Sequence, residues 1–75
     1  MNDQAGANAP EQELSYEQAR AELAAVVERL EAGGTSLEES LALWERGERL
    51  ADICQRWLDG ARERLDAARR ARESA

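Results

Sequence analysis

Residues 30–41 read LEAGGTSLEESL, and the punctuation inside this stretch decides the fold. Gly33 and Gly34 offer the left-handed backbone that ends a helix cheaply. Ser36 with Glu39 has the spacing of a capping box, in which a hydroxyl and a carboxylate each satisfy an orphan amide of a helix's first turn. One helix therefore ends near Ala32 and another begins at Ser36, with residues 33–35 as the turn. A link this short makes the two helices antiparallel neighbours.

Upstream, Ser15 and Gln18 repeat the capping-box spacing, so the first helix is expected over residues 15–32. Tyr16, Ala19, Leu23, Val26 and Leu30 recur at steps of three and four, which gathers them on one face. Arg20, Glu22, Glu28 and Arg29 fall mostly off it. Before it, MNDQAGANAPEQE lacks a positive start followed by an apolar run, so it is not a secretory signal. Its low hydrophobicity, with Gly6 and Pro10, predicts a disordered arm over residues 1–14.

Downstream of Ser36 no Pro interrupts the chain, so a long second helix is expected over residues 36–72, with a frayed tail at 73–75. Its main apolar stripe runs Leu37, Leu41, Trp44, Gly47, Ala51, Cys54, Leu58, Ala61, Leu65 and Ala68. Leu43, Leu50 and Trp57 add a flanking line. Glu45 with Arg49 and Asp52 with Arg56 are spaced to pair along the polar side. Arg62, Arg64, Arg69, Arg70 and Arg72 load the C-terminal end, where cations favour the exposed carbonyls.

The two lengths do not match. At 1.5 Å per residue the helices are roughly 27 Å and roughly 50 Å long. The first cannot cover the second, and Trp57, Leu58 and Leu65 are expected to lie beyond its reach. Burying each contributes about 1.5–3 kcal/mol. The fold class is therefore all-α, an antiparallel, coiled-coil-like helical hairpin completed by oligomerisation or by a partner. Its partner interface is predicted at Leu37, Leu41, Leu43, Trp44, Gly47, Leu50, Trp57, Leu58 and Leu65.

Composition supports a lean domain. Of 75 residues 43% are hydrophobic, but 15 of those 32 are Ala. A chain this small hides only about 60% of its unfolded surface and commonly borrows stability from a partner. One Cys permits no internal disulfide, and no imidazole exists to help hold zinc. No apolar run is long enough to span a bilayer. These features fit a cytoplasmic protein without metal or cofactor.

Candidate chemistry is sparse. Without His, acid–base work would fall to carboxylates, Tyr16 or Cys54, each needing a pocket to shift its pKa. Glu38 and Glu39 are adjacent and face different directions, so they read as helix-capping acids rather than a catalytic pair. Cys54 lies in the apolar stripe and reads as a small hydrophobe. Trp44 and Trp57 could stack on bases, but residues 1–48 carry eleven acids against three Arg, whereas residues 49–75 carry five acids against seven Arg. Only the C-terminal end would tolerate phosphate. Gly47 marks either a close backbone approach or a weak point in the helix.

The residues Ser15-Tyr16-Glu17, Leu23, Val26-Val27-Glu28-Arg29-Leu30-Glu31, Gly33, Leu37-Glu38-Glu39-Ser40-Leu41 and Trp44-Glu45-Arg46-Gly47 through Leu50 closely resemble the small subunit family of bacterial exodeoxyribonuclease VII. The resemblance covers residues 15–65, and its most specific part is the L-E-x-G block followed by L-E-E-S-L and aromatic-E-R-G. It implies a helical hairpin that acts as a non-catalytic subunit, several copies joining one large catalytic subunit in the cytoplasm. That complex degrades single-stranded DNA from either end to oligonucleotides. Catalytic residues then belong to the large chain, and direct DNA contact by this one is not expected. Leu37, Leu41, Trp44, Gly47 and Leu50 match the motif. Arg20 stands where the family usually has an apolar residue, Arg62 where it often has Glu, and Trp44 where Phe or Tyr is common.

Two other classes use the same residues. An independent homo-oligomeric coiled-coil adaptor would self-associate and ignore any nuclease chain. An autonomous helical enzyme would need several cations inside the bundle, whereas only Arg20 borders an apolar stripe.

Overall fold

The computed structural model describes residues 14–74, which form two helices, α1 over Tyr16–Ala32 and α2 over Leu37–Ser74. They pack as an all-α antiparallel hairpin. Of the arm expected over residues 1–14, residues 1–13 lie outside the described residues. Leu14, counted with that arm from sequence, is instead 5% exposed and part of the core.

Helix α1 starts where its cap dictates. Ser15 is extended (φ −71°, ψ 167°). Its Oγ accepts from the Gln18 amide at 3.1 Å, and Gln18 Oε1 accepts from the Ser15 amide at 2.9 Å. Such a cap contributes about 1 kcal/mol. Leu14 and Ala19 occupy the two positions of a hydrophobic staple around this cap, and both are buried. The staple fixes the angle at which the chain enters the helix.

Gly33 and Gly34 end α1 with φ of 76° and 80°. The positive φ is as expected, but Gly33 pairs it with ψ −173°, so the chain leaves in an extended direction rather than through a left-handed turn. That region is essentially restricted to glycine. Ser36 then caps α2, its Oγ accepting from the Glu39 amide at 3.1 Å and its carbonyl from the Ser40 amide at 2.9 Å. The Glu39 carboxylate reaches across the hairpin to Arg29 at 3.5 Å. At its far end α2 runs past the expected residue 72 to Ser74, whose hydroxyl donates to the Arg70 carbonyl at 2.8 Å.

Three cross-helix contacts record the antiparallel register. Arg29 meets Glu39, Glu22 meets Arg46, and the Leu14 carbonyl meets Trp57. Between them sits a core of Leu14, Ala19, Val26, Leu50 and Ile53, bordered by half-buried Leu23, Leu30, Leu43 and Cys54. Every member of the expected α1 stripe is buried or half-buried.

On α2 the structure reverses the expected hierarchy of faces. The flanking line of Leu43, Leu50 and Trp57, joined by Ile53, faces α1. Most of the longer stripe, from Leu37 and Leu41 through Trp44 to Leu58 and Leu65, lies exposed. The stripes adjoin, and periodicity alone does not say which turns inward. The four-residue link, its exit fixed by Gly33, sets the rotation of α2 about its own axis.

The expectation that Trp57 lies beyond α1 is also corrected. Its indole Nε1–H donates to the Leu14 carbonyl at 3.0 Å, because residue 14 extends the reach of α1 past its cap. Beyond Trp57, α2 continues for 17 residues to Ser74, about 25 Å of helix that α1 does not cover.

Candidate partner-binding surface

The nine residues expected at a partner interface separate into two groups. Leu50 is completely buried inside the hairpin, Leu43 is half-buried against the core, and Gly47 faces α1, where an added Cβ would lie 3.5 Å from Val26 and 3.7 Å from Leu23. These three form the seam between the helices. Leu37, Leu41, Trp44, Trp57, Leu58 and Leu65 are exposed.

Five exposed positions of α2, Leu37, Trp44, Ala51, Leu58 and Leu65, follow one another at intervals of seven. A strict seven-residue repeat keeps one line of side chains facing a neighbouring helix along a left-handed supercoil. From Leu37 to Leu65 the line extends about 42 Å at the helical rise. Leu37 is 76% exposed, Trp44 61% and Leu65 70%. Isolated apolar residues are common on protein surfaces, whereas a continuous apolar line along a helix marks an interaction site. Sequence reasoning finds most of these residues but places three seam residues among them. The added signal is the difference between the line at 37, 44, 51, 58 and 65 and the parallel line at 43, 50 and 57.

Ion pairs frame the seam rather than any pocket for chemistry. Arg46 with Glu22 and Arg29 with Glu39 bridge the helices, and Arg69 with Asp66 pairs along α2 at 3.7 Å. All are substantially exposed, so each contributes at most about 1 kcal/mol. An open groove of about 420 Å³ lies along α2 beside Trp57, lined by Ile53, Arg56, Trp57, Gly60, Ala61 and Arg64. Its walls combine an aromatic ring, small residues and two guanidinium groups. Among the described residues no group of three or more His, Cys, Asp or Glu could hold a metal ion, and no helix is long and apolar enough to cross a membrane. Cys54 is half-buried at the edge of the core. Glu38 and Glu39 lie in the first turn of α2, where carboxylates complement the helix dipole.

Comparison with known proteins converges on one family. Residues 16–67 match the description Exonuclease VII small subunit. The Exodeoxyribonuclease 7 small subunit of Streptomyces avermitilis is 71% identical over 62 residues, covering 83% of this chain and 78% of that protein. That of Cutibacterium acnes is 58% identical over 76 aligned positions, covering 100% and 97%. That of an Arthrobacter species is 68% identical over 62 residues, covering 83% and 82%. No solved structure matches this chain. The matched span holds the Ser15 cap's helix, the glycine turn and the heptad line as far as Leu65, and by that match the chain belongs to the exonuclease VII small subunit family.

Proposed function

We propose that this chain is the non-catalytic small subunit of an exodeoxyribonuclease VII, binding and supporting the large subunit that degrades single-stranded DNA from both ends to oligonucleotides. The observation that carries the reading is the exposed seven-residue line from Leu37 to Leu65, all of it within the family-matched span. A helix presenting such a line docks side by side with a helix of a partner. In this reading the hairpin seam keeps α2 straight and rotated, and the outward line meets the large chain. The net acidic N-terminal half disfavours phosphate, so DNA is handled by the large chain. Both subunits then work in the cytoplasm, where the DNA substrate is found.

Light scattering on this chain co-expressed with the large nuclease chain of the same genome tests the proposal. A joint particle containing several small chains per large one is the expected result. Separate elution of the two, with nuclease activity of the large chain indifferent to this one, overturns it and leaves a self-associating adaptor.

A further inference from the structure

The face of α2 that packs on α1 continues past the point where α1 ends. Leu50 and Ile53 lie in the core and Trp57 meets Leu14, and steps of three and four carry the same face on to Gly60, Ala61 and Arg64. These three line the open groove beside Trp57, with Arg56 at its rim. The groove is thus the seam between the helices, continued without its second helix. Its character changes there. Gly60 and Ala61 leave a shallow floor that a backbone can approach, and Arg64 takes the next place in the seven-residue line of Leu43, Leu50 and Trp57. Arg56 has Asp52 and Asp59 at four and three residues, whereas the positions three and four from Arg64 are Gly60, Ala61, Ala67 and Ala68. No carboxylate is spaced to meet the Arg64 guanidinium along its own helix.

Leu14 brings an occupant to this groove. Its side chain is 5% exposed and its carbonyl accepts from Trp57 Nε1 at 3.0 Å, so the chain is fixed to α2 at the groove's near end. Residues 1–13 are joined directly to that point, and the charged side chains among them are Asp3, Glu11 and Glu13, all acidic. We propose that residues 11–13 lie extended in the groove, continuing the antiparallel path of α1, with the Glu11 carboxylate on Arg64 and that of Glu13 on Arg56. The lengths agree: three extended residues span about 10 Å, and α2 rises about 10.5 Å from Trp57 to Arg64. The sides agree as well. Arg56, Gly60 and Arg64 form one row along the helix, and Trp57 with Ala61 forms the next. Alternation along an extended chain turns Glu11 and Glu13 toward the arginine row and Gln12 toward Ala61. Because the segment is tethered at Leu14, it faces the groove at a local concentration that a separate molecule rarely reaches. Its seating closes to nucleotides a place where an aromatic ring and two guanidinium groups lie together.

The test uses the full chain with Cys54→Ser as background. Gln12→Cys is combined with Ala61→Cys on the groove, or with Arg62→Cys at the same height on the far side of α2. Both combinations leave Glu11, Glu13, Arg56 and Arg64 in place. The first is expected to close its disulfide within one chain, at a rate unchanged by dilution and at least about tenfold faster than the second, because seating holds the two thiols together. Adding Arg64→Glu to the first combination is expected to slow closure by about fivefold, the scale of an exposed ion pair. Adding Glu11→Arg as well restores the rate, which a merely structural role for Arg64 would not do. Equal rates at Ala61 and Arg62, closure only between chains, or a rate indifferent to both charge reversals would each overturn the inference. A separate arm follows Trp57 fluorescence in the Trp44→Phe chain, where a single-stranded oligothymidylate at micromolar concentration is expected to cause no quenching. Quenching there would make the groove a nucleotide site and overturn the seating of residues 11–13.

Discussion

A methyl group added at Gly47 would sit 3.5 Å from Val26 Cγ1 and 3.7 Å from Leu23 Cδ1, ordinary van der Waals separations. The helices are close here, but not so close that only glycine fits. Because glycine costs about 1 kcal/mol relative to alanine inside a helix, Gly47→Ala is expected to raise the melting temperature by about 4–8 °C, the shift that such a gain produces in a domain this small. A lower melting temperature would mean that the seam requires bare backbone. Gly33 behaves oppositely. Nothing lies within 4 Å of its added Cβ, yet its φ of 76° with ψ −173° excludes other residues by strain. Gly33→Ala should therefore cost about 1–3 kcal/mol, read as a lower urea midpoint with an unchanged slope. At Trp57 the indole N–H to Leu14 carbonyl bond ties the end of α1 to α2. Trp57→Phe keeps a ring but removes the donor, and a loss of about 1 kcal/mol in urea unfolding is expected.

Among the elements, α1 is fully legible in the sequence and α2 only partly. A 17-residue helix with one apolar stripe and a capping box at its start offers a single way to lie down. Ser15, Gln18, Gly33 and Ser36 are each found by local chemistry, because each satisfies or releases a backbone group within four residues. Helix α2 presents two adjoining stripes over 38 residues, and the choice between them depends on how the link aims the second helix. That is a three-dimensional property, and it explains why Leu43, Gly47 and Leu50 are grouped with the partner surface when read from sequence. Leu14 is missed for a different reason. Its only signal is the staple with Ala19, and Ala19 is a weak hydrophobe. Ile53 lies beyond the flanking line, on the side away from the longer stripe, and gains its importance only when α1 lies over it. The two faces make a measurable distinction. Leu50→Ala removes a fully buried side chain and should cost about 2–5 kcal/mol, enough to lower helicity by circular dichroism at room temperature in so small a fold. Leu65→Ala, on the exposed line, should leave the helical signal of the free chain nearly intact. Equal losses would mean that both faces are structural.

For the whole molecule, the mismatch between a 17-residue and a 38-residue helix is the feature from which function follows. The hairpin covers the apolar stripe of α1 and one face of α2, leaving on α2 apolar surface that no other described residue covers. Burial of one such leucine contributes about 1.5–3 kcal/mol, so in the proposed function a helix of the large chain that covers the line gains several such contributions. Placing a carboxylate on it separates binding from folding. Leu65→Glu lies beyond the reach of α1, so the hairpin should melt as before. The same substitution loses the leucine's burial and puts a charge into the proposed seam with the large subunit, which should weaken co-assembly by at least about tenfold, since each 1.4 kcal/mol is a tenfold change. Titration of the variant against the large chain, followed by light scattering, measures this directly. Undiminished assembly would show that the C-terminal part of α2 lies outside the contact, and attention would move to Leu37 and Trp44 at the other end of the line.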